Sequence, residues 1–182
     1  MKHIVIIKGS AGHTSANHVF ATYIKEKIAT RFKVTFYDEL TQLPHFVPEL
    51  SSEHTPKAIL EFRTLIQEAD GILILTPEYI FSIPSGLKNA FEWCVSTTVF
   101  TNKPIGLITA AANGVKGHEE LELITRTLDA KFTAETSLLI AGAKGKINKE
   151  TGEIEENTKQ ILNQFIRNFI TYIDRKGDKI RS

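Results

Sequence analysis

The sequence predicts an α/β fold, a three-layer sandwich around a five-stranded parallel sheet in the order 2-1-3-4-5. Two runs of apolar residues, at 4–7 and 72–75, are too continuous for strands with one solvent-facing side and too short for helices. Segments with the helical spacing of apolar residues separate these runs from weaker strand candidates. Repeated alternation of strand and helix predicts a parallel sheet covered on both faces and joined by right-handed crossovers.

Five strands are expected along the chain. Residues 4–7 and 72–75 form the first and third strands, and residues 34–37 are a weaker candidate for the second. Residues 105–112 follow a proline and form the fourth strand, and the fifth is expected within residues 133–140. The flavodoxin-like strand order is the most economical way to connect them.

Helices are expected between these strands, and two of them begin near a proline. Thr55 with Pro56 and Ile83 with Pro84 mark helix starts, because proline at the first helical position loses no hydrogen bond that the helix would make. The residues expected on the buried faces are Val19, Phe20, Tyr23, Ile24 and Ile28; Ile59, Phe62, Leu65, Ile66 and Ala69; Leu87, Ala90, Phe91 and Cys94; Leu121, Ile124 and Leu128; and Ile161, Leu162, Phe165, Ile166, Phe169 and Ile173.

Composition indicates one domain. The chain has 182 residues, 42% hydrophobic and 24% charged, which predicts a single domain over residues 1–174 and a loose polar tail over residues 175–182. The net charge of +1 disfavours nucleic acid and anionic membranes as partners. No apolar run approaches the ~20 residues that span a bilayer. The single cysteine favours a reducing cytoplasm over secretion.

The loop after the first strand is the first candidate ligand site, because ligands of such sheets bind beyond the carboxyl ends of the strands where the strand order reverses. Residues 8–17 supply two glycines, three hydroxyls and an amide ahead of a helix, which suits a phosphate. A helix cap at Thr14 or Ser15 is the alternative interpretation. The loop has neither the Gly-Lys-Ser/Thr ending of a P-loop nor a G-x-G-x-x-G pattern, which disfavours a nucleotide triphosphatase and a dinucleotide Rossmann site.

The loop after the third strand carries a more specific pattern. Residues 76–90 read TPEYIFSIPSGLKNA, and they resemble the NADPH-dependent FMN reductase family, whose pattern here is roughly Pro-Glu-Tyr-Asn, Ser-x-Pro and Leu-Lys-Asn-Ala. The resemblance extends to Gly9, Ser10, Ser15 and Asn17 in the first loop and to a polar turn at residues 146–155. It therefore covers essentially the whole chain.

The sequence departs from the family pattern at three positions. Gly12 stands where the family often has an arginine on the phosphate, and His13 is a partial replacement. Ile80 replaces the asparagine of Pro-Glu-Tyr-Asn, which leaves backbone contacts at that position. Ala112 stands where many relatives have serine.

The resemblance implies an FMN-binding oxidoreductase with NADPH or NADH as co-substrate. The implied phosphate-binding residues are Ser10, Gly12, His13, Thr14, Ser15 and Asn17. The residues expected to present backbone donors to the flavin ring are Pro77, Glu78, Tyr79, Ile80, Ala112, Asn113 and Gly114.

The implied reaction passes a hydride from the nicotinamide to the flavin and then to a quinone, azo compound, free flavin or metal oxyanion, with no side-chain nucleophile. Glu78 is expected to fix its loop through hydrogen bonds rather than act as a base. Amides near Gly114 are preferred over Lys116 as donors to the reduced flavin. Tyr79 is expected either to flank the ring or to pack.

The resemblance, whose members pair through the region beside the flavin, implies a homodimer or a tetramer. A surplus of apolar residues around the third helix fits such a partner, although burial by the sheet and a neighbouring helix explains them equally well. These residues are Phe81, Phe91, Trp93, Val95, Val99 and Phe100. No metal-ligand spacing occurs among the six histidines and one cysteine, and His118 and Cys94 are assigned structural roles.

Two alternative functions stay open from the sequence. One is a flavodoxin-type electron carrier, which the nearly neutral charge disfavours, and the other is a flavin-free binding domain on the same fold. A phospho-receiver domain is disfavoured because no aspartate follows the third strand.

Overall fold

The computed structural model describes residues 1–9 and 15–179, with backbone only for residues 176–179. Within them, one five-stranded parallel sheet has the order β2-β1-β3-β4-β5, which confirms the expected fold class and strand order. The strands are β1 His3–Lys8, β2 Lys33–Tyr37, β3 Gly71–Thr76, β4 Ile105–Ala111 and β5 Ser137–Ala141.

Five α-helices cover the two faces of the sheet. They are α1 Ala16–Ile28, α2 Lys57–Glu68, α3 Ser85–Glu92, α4 Val115–Thr127 and α5 Glu156–Lys179. Short 3₁₀ turns occupy Leu40–Gln42, Pro48–Leu50, Ala134–Thr136 and Ala143–Lys146.

The alternation of side chains along β1 divides the core into two layers. Val5 and Ile7 belong to the cluster that also contains side chains of α2 and α3. Ile4 and Ile6 belong to the opposite cluster, which contains side chains of α1 and α5. Both faces of the central strands are therefore dry, which explains their continuous apolar runs.

Some boundaries differ from the predicted ones for local reasons. Strand β5 begins at Ser137 because Thr133 and Thr136 form a capping box around a 3₁₀ turn that takes up the first part of the expected window. Pro56 and Pro84 lie one residue before the first helical residue, with extended ψ angles of 143° and 142°.

Helix α5 also differs from expectation. Ile161 is 41% exposed and does not belong to the buried face, so its assignment to that face is wrong. The helix continues through Lys179, so residues 175–179 of the expected loose tail are helical here. Residues 180–182 lie outside the described residues, and the single domain over residues 1–174 remains a prediction.

The end of α3 is fixed by a buried arginine. Arg63 of α2 donates from Nε to the carbonyl oxygen of Trp93 at 2.9 Å and from Nη2 to that of Ser51 at 2.9 Å. A cation at a helix C-terminus satisfies carbonyls that the helix leaves unpaired. Cys94 follows directly and is 1% exposed, and burial raises the pKa of its thiol to about 12.

Most of the apolar surplus near α3 is covered by the chain itself. Phe91, Trp93 and Phe100 are buried in the core, whereas Phe81 and Val95 are exposed. The burial interpretation therefore holds for the three large aromatic residues. Among the described residues, no helix combines the length and the apolar character needed to cross a bilayer.

Candidate functional site

The carboxyl ends of β1 and β3 approach each other very closely. The N–H of Gly9, directly after β1, donates to the carbonyl oxygen of Leu75 at 2.7 Å. A Cβ atom at Gly9 would lie 2.6 Å from Oγ1 of Thr76, the last residue of β3. Only glycine lets the segments that leave β1 and β3 lie this close together. These two strands are where the strand order reverses, so the geometry of that edge depends on Gly9.

Part of the first loop lies outside the described residues. This applies to four of the expected phosphate ligands, Ser10, Gly12, His13 and Thr14. Ser15 is the N-cap of α1, and its Oγ accepts the N–H of His18 at 3.2 Å. The capping interpretation is thus confirmed for Ser15, and its contact with a phosphate remains a prediction.

Asn17 brings a buried, partly unsatisfied amide to the same edge of the sheet. It is 2% exposed, and its Nδ2 donates to the carbonyl oxygen of Ala110 in β4 at 2.9 Å. Its Oδ1 is buried and has no hydrogen-bond partner among the residues that the structure describes. A buried acceptor without a donor is costly, so this atom complements a hydroxyl better than a phosphate oxygen.

The second loop ends in a tight turn that exposes apolar side chains. The N–H of Tyr79 donates to the carbonyl oxygen of Ser82 at 2.8 Å, and the reverse bond measures 3.0 Å. The two residues between them, Ile80 and Phe81, have φ angles of 52° and 58°. Positive φ is unfavourable for β-branched and aromatic residues. Burial does not offset this strain, because Ile80 is 95% and Phe81 73% exposed.

Glu78 joins the second loop to the third. Its Oε2 accepts the N–H of Gly117 at 2.7 Å and its Oε1 accepts the N–H of Gly114 at 3.2 Å. Gly114 is the N-cap of α4, with φ 89° and no side chain to cap the helix. The carboxylate of Glu78 therefore caps α4 from another loop, which confirms the expected loop-fixing role.

These contacts narrow the expected set of backbone donors to the flavin ring. The N–H groups of Tyr79 and Gly114 are engaged within the protein, and Pro77 has no N–H. The expectation is thereby limited to Glu78, Ile80, Ala112 and Asn113.

The third loop is open to solvent next to the capped helix. Ala112 and Asn113 are exposed, whereas Gly114 is buried. The Nζ atom of Lys116 forms an exposed ion pair with Oε2 of Glu119 at 2.7 Å. Lys116 is thus a solvent-exposed, paired lysine, and the preference for amides over it as donors to the flavin remains a prediction.

A cavity of about 350 Å³ opens beside the second loop. It lies between the connection that follows β2 and the beginning of α3. Its lining includes Gly9, Asp38, Thr41, His45, Tyr79 and Ser85. Tyr79 is 54% exposed and lines this cavity, so it does not pack in the core. Asp38 lines the cavity but was not predicted as a site residue. It could have been found from the sequence, because it directly follows the second strand and so lies at the same edge of the sheet.

A polar network joins β4, α4 and the beginning of β5. His118 of α4 contacts Oγ1 of Thr109 through Nδ1 at 2.8 Å and Oγ of Ser137 through Nε2 at 3.0 Å, and that serine donates to Glu122 at 2.6 Å. Burial lowers the pKa of His118, and Glu122 partly opposes the shift. The described residues contain no group of three or more side chains able to hold a metal ion.

Comparison with known proteins agrees with this geometry. The model of the NADPH-dependent FMN reductase family matches residues 2–145. The NADH-dependent flavin reductase subunit 2 of Lactobacillus johnsonii is 29% identical, over 89% of this chain and 94% of that protein. The quinone reductase of Escherichia coli is 27% identical, over 94% and 95%.

A solved structure shares the fold over nearly the full length of both chains. FerB of Paracoccus denitrificans, a flavoenzyme NAD(P)H:acceptor oxidoreductase, superposes with a TM-score of 0.83 at 21% identity and covers 96% of this chain and 98% of its own. With the family model matching over three quarters of the sequence, the chain belongs to the NADPH-dependent FMN reductase family.

Proposed function

We propose that this protein is an FMN-dependent oxidoreductase that takes a hydride from NADPH or NADH and reduces a small acceptor, with quinones as the first class to test. The observation that carries the proposal is the bridge from Glu78 to the beginning of α4, which holds two of the three site loops in one arrangement. Family membership and the named relatives, a flavin reductase and a quinone reductase, support it.

The described residues fit FMN. Gly9, where a Cβ atom would meet Thr76 and Leu87, keeps the ends of β1 and β3 close together at the switch point. The unpartnered Oδ1 of Asn17 provides a buried acceptor for a hydroxyl of the ribityl chain. The site therefore offers complementary groups at the sheet edge where this fold class binds its ligands.

The protein residues bind and orient, while bound FMN supplies hydride and electron transfer. Ser10, Gly12, His13, Thr14 and Ser15 are proposed to hold the phosphate. The amides of Glu78, Ile80, Ala112 and Asn113 are proposed to face the ring. The N-terminus of α4 is already capped by the carboxylate of Glu78, so the ring is proposed to meet backbone amides of the loops rather than an open helix end.

The acceptor is proposed to enter beside Tyr79, which is exposed at the cavity. Because this cavity is open to solvent, its shape excludes few flat aromatic acceptors. We therefore expect turnover with several quinones and slower turnover with azo compounds and free flavin.

The absorbance spectrum of the purified protein under anaerobic conditions tests the proposal. Bound flavin should bleach on addition of NADPH or NADH and recover when a quinone is added. Steady nicotinamide oxidation with a quinone separates an enzyme from an electron carrier. A colourless protein that gains no thermal stability from added FMN would contradict the proposal, because a ligand in large excess stabilises a protein that binds it.

The cofactor residues have their own test. Ser15→Ala combined with Asn17→Ala should impair FMN retention more than Glu78→Gln, because the first two touch the cofactor in this proposal and Glu78 acts through the loops. The opposite order in a flavin titration would contradict the assignment.

A homodimer in which the apolar turn is covered is part of the proposal. Ile80 and Phe81, in the second loop, and Val95, after the end of α3, are exposed apolar side chains, and Tyr79 is half exposed. A second copy of the chain would remove them from water. Light scattering behind size-exclusion chromatography should give twice 20.4 kDa; a single-chain mass would contradict this part.

A cytoplasmic location is also proposed, because the chain has one cysteine and needs no disulfide. Cell fractionation tests it, and recovery with secreted proteins would contradict it.

A further inference from the structure

The connection from β2 to α2 forms one wall of the cavity beside Tyr79. It contributes its 3₁₀ turn, Leu40–Gln42, and His45, whereas Ser85 at the beginning of α3 belongs to the opposite wall. Residues 44–47 of this connection belong to no helix or strand. The shape of the wall around the histidine therefore depends on contacts made by side chains rather than on a regular backbone.

Asn89 of α3 holds the backbone on both sides of His45. Its Oδ1 accepts the N–H of Phe46 at 2.8 Å, and its Nδ2 donates to the carbonyl oxygen of Pro44 at 3.0 Å. The indole N–H of Trp93 donates to the same carbonyl oxygen at 2.8 Å. The rings of Phe46 and Trp93 also pack edge to face, with their centroids 5.2 Å apart. Three hydrogen bonds and an aromatic contact thus fix this short segment on α3.

The ring of His45 forms no hydrogen bond or ion pair with the residues that the structure describes. The residue is exposed, and it lines the cavity. An imidazole ring carries at least one N–H donor in either tautomer. The backbone around this ring is held in place although the ring itself has no protein partner, an arrangement that suits donation to a ligand.

We propose that His45 donates a hydrogen bond to an oxygen of a quinone bound in this cavity, and that Asn89 is the positioning residue that fixes His45 there. This inference rests on the proposed function, in which the acceptor enters beside Tyr79. The oxygens of a quinone only accept hydrogen bonds, so a site that binds them needs donors. His45 is thereby a specificity-determining residue, which favours acceptors that carry a carbonyl oxygen.

Removing the donor should weaken quinone binding. His45→Leu should lower kcat/KM for 1,4-benzoquinone about three- to tenfold, mainly through KM, because one hydrogen bond is lost. His45→Gln keeps an N–H donor and should recover most of that loss. Ferricyanide accepts electrons without a carbonyl oxygen, so the ratio of the benzoquinone to the ferricyanide kcat/KM should fall in His45→Leu. His54→Gln changes an exposed histidine of the same connection that does not line the cavity, and it should keep the ratio.

The positioning role predicts a different pattern. Asn89→Ala removes two of the three hydrogen bonds, so KM for benzoquinone should rise by a similar factor with little change in kcat. This effect should disappear when His45→Leu is already present, because Asn89 acts through His45. Ser96→Ala is the matched control. It removes a hydrogen bond of 3.1 Å to the carbonyl oxygen of Ser51, which anchors the same connection outside the cavity lining.

A binding measurement without turnover accompanies the kinetics. Proton–carbon NMR of the histidine rings in the FMN-loaded protein identifies His45 as the signal that is missing from His45→Gln. Acetophenone, an aromatic ketone that serves as an unreactive probe, should shift this signal and leave that of His54 in place. Asn89→Ala should need more of the probe for the same shift. Thermal denaturation first shows which variants fold, and the variants at the exposed His45 test the inference where Asn89→Ala does not fold.

An unchanged ratio in His45→Leu, or an unmoved His45 signal, would overturn the inference and leave the proposed function standing. Equal KM changes in Asn89→Ala and Ser96→Ala, or additive effects of Asn89→Ala and His45→Leu, would overturn the positioning role and show that Asn89 only anchors the connection. Failure of the unchanged chain to bind FMN, or to oxidise a nicotinamide with benzoquinone, would overturn the proposed function itself.

Discussion

The carboxylate of Glu78, in the second loop, and the backbone N–H of Gly117, in the first turn of α4, form a hydrogen bond of 2.7 Å across 39 residues of the chain. The same carboxylate also accepts the N–H of Gly114. One side chain thus satisfies two amides at the beginning of α4 and sets the spacing of the second and third loops.

Replacing Glu78 should loosen this edge of the sheet. Glu78→Gln keeps one acceptor and loses the charge, so we expect the free energy of unfolding to fall by about 1–2 kcal/mol, with a larger loss for Glu78→Ala. Urea unfolding measures both. Glu119→Gln, which breaks the exposed ion pair with Lys116, is the control and should leave the midpoint unchanged. Equal effects of the two glutamine variants would contradict the capping role.

Gly9→Ala should damage both stability and the site. The added Cβ atom would meet Oγ1 of Thr76 at 2.6 Å, and relief requires movement of β1 or β3. We expect a loss of roughly 1–3 kcal/mol in the free energy of unfolding, as for an overpacked core. Gly145→Ala is the matched control, since nothing lies within 4 Å of its added Cβ atom. A neutral Gly9→Ala would show that the switch point is less crowded than described.

The turn at Ile80 and Phe81 should become more stable when residues suited to positive φ replace them. Ile80→Asn with Phe81→Gly should raise the free energy of unfolding by about 1 kcal/mol or more, since both φ angles favour asparagine and glycine. Calorimetry measures the gain. Ile80→Val, which stays β-branched, should give none. A lower melting temperature in the double variant would mean that the exposed side chains contribute more than the strain costs.

Much of the fold follows from short-range pattern, and much of the site does not. Strands β1 and β3 are predictable because both their faces are dry. The late start of β5 was not predicted, because Thr133 and Thr136 form a local polar cap within an otherwise strand-like segment. The hydrogen-bond partners of Glu78 lie 36 and 39 residues away in the chain, so they could not be predicted from the spacing of neighbouring residues.

The ion pair between Lys8 and Asp38, with Nζ and Oδ2 3.8 Å apart, shows the same limit. Each residue stands at the end of its own strand, and only the register between β1 and β2 brings them together. The two loops with ligand chemistry were nevertheless predicted, because the ends of neighbouring parallel strands meet at one edge of the sheet.

Stability should depend on pH through His118. Burial lowers its pKa below the ordinary value of 6.5, so between those two values the unfolded chain binds more protons than the folded one. Stability is therefore complete above about pH 6.5, falls as the pH drops below it and levels off below the folded pKa. Unfolding curves between pH 7.5 and 5 should show this slope.

His118→Gln should reduce that slope, of which a part remains because burial also lowers the pKa of His3, and it should lower stability at neutral pH because contacts to Thr109 and Ser137 are lost. His45→Gln, at an exposed position, is the control and should keep the slope. An unchanged slope in His118→Gln would contradict the assignment.

The buried thiol of Cys94 has a practical consequence. Cys94 is the single cysteine of the chain. It directly follows Trp93, whose carbonyl oxygen accepts the hydrogen bond from Arg63 at the end of α3. A maleimide or a disulfide reagent can therefore modify only this thiol. Because the thiol is buried, modification requires a local unfolding event that exposes it. The rate of Cys94 modification, followed by mass spectrometry, therefore measures local unfolding of this part of the core without an introduced cysteine.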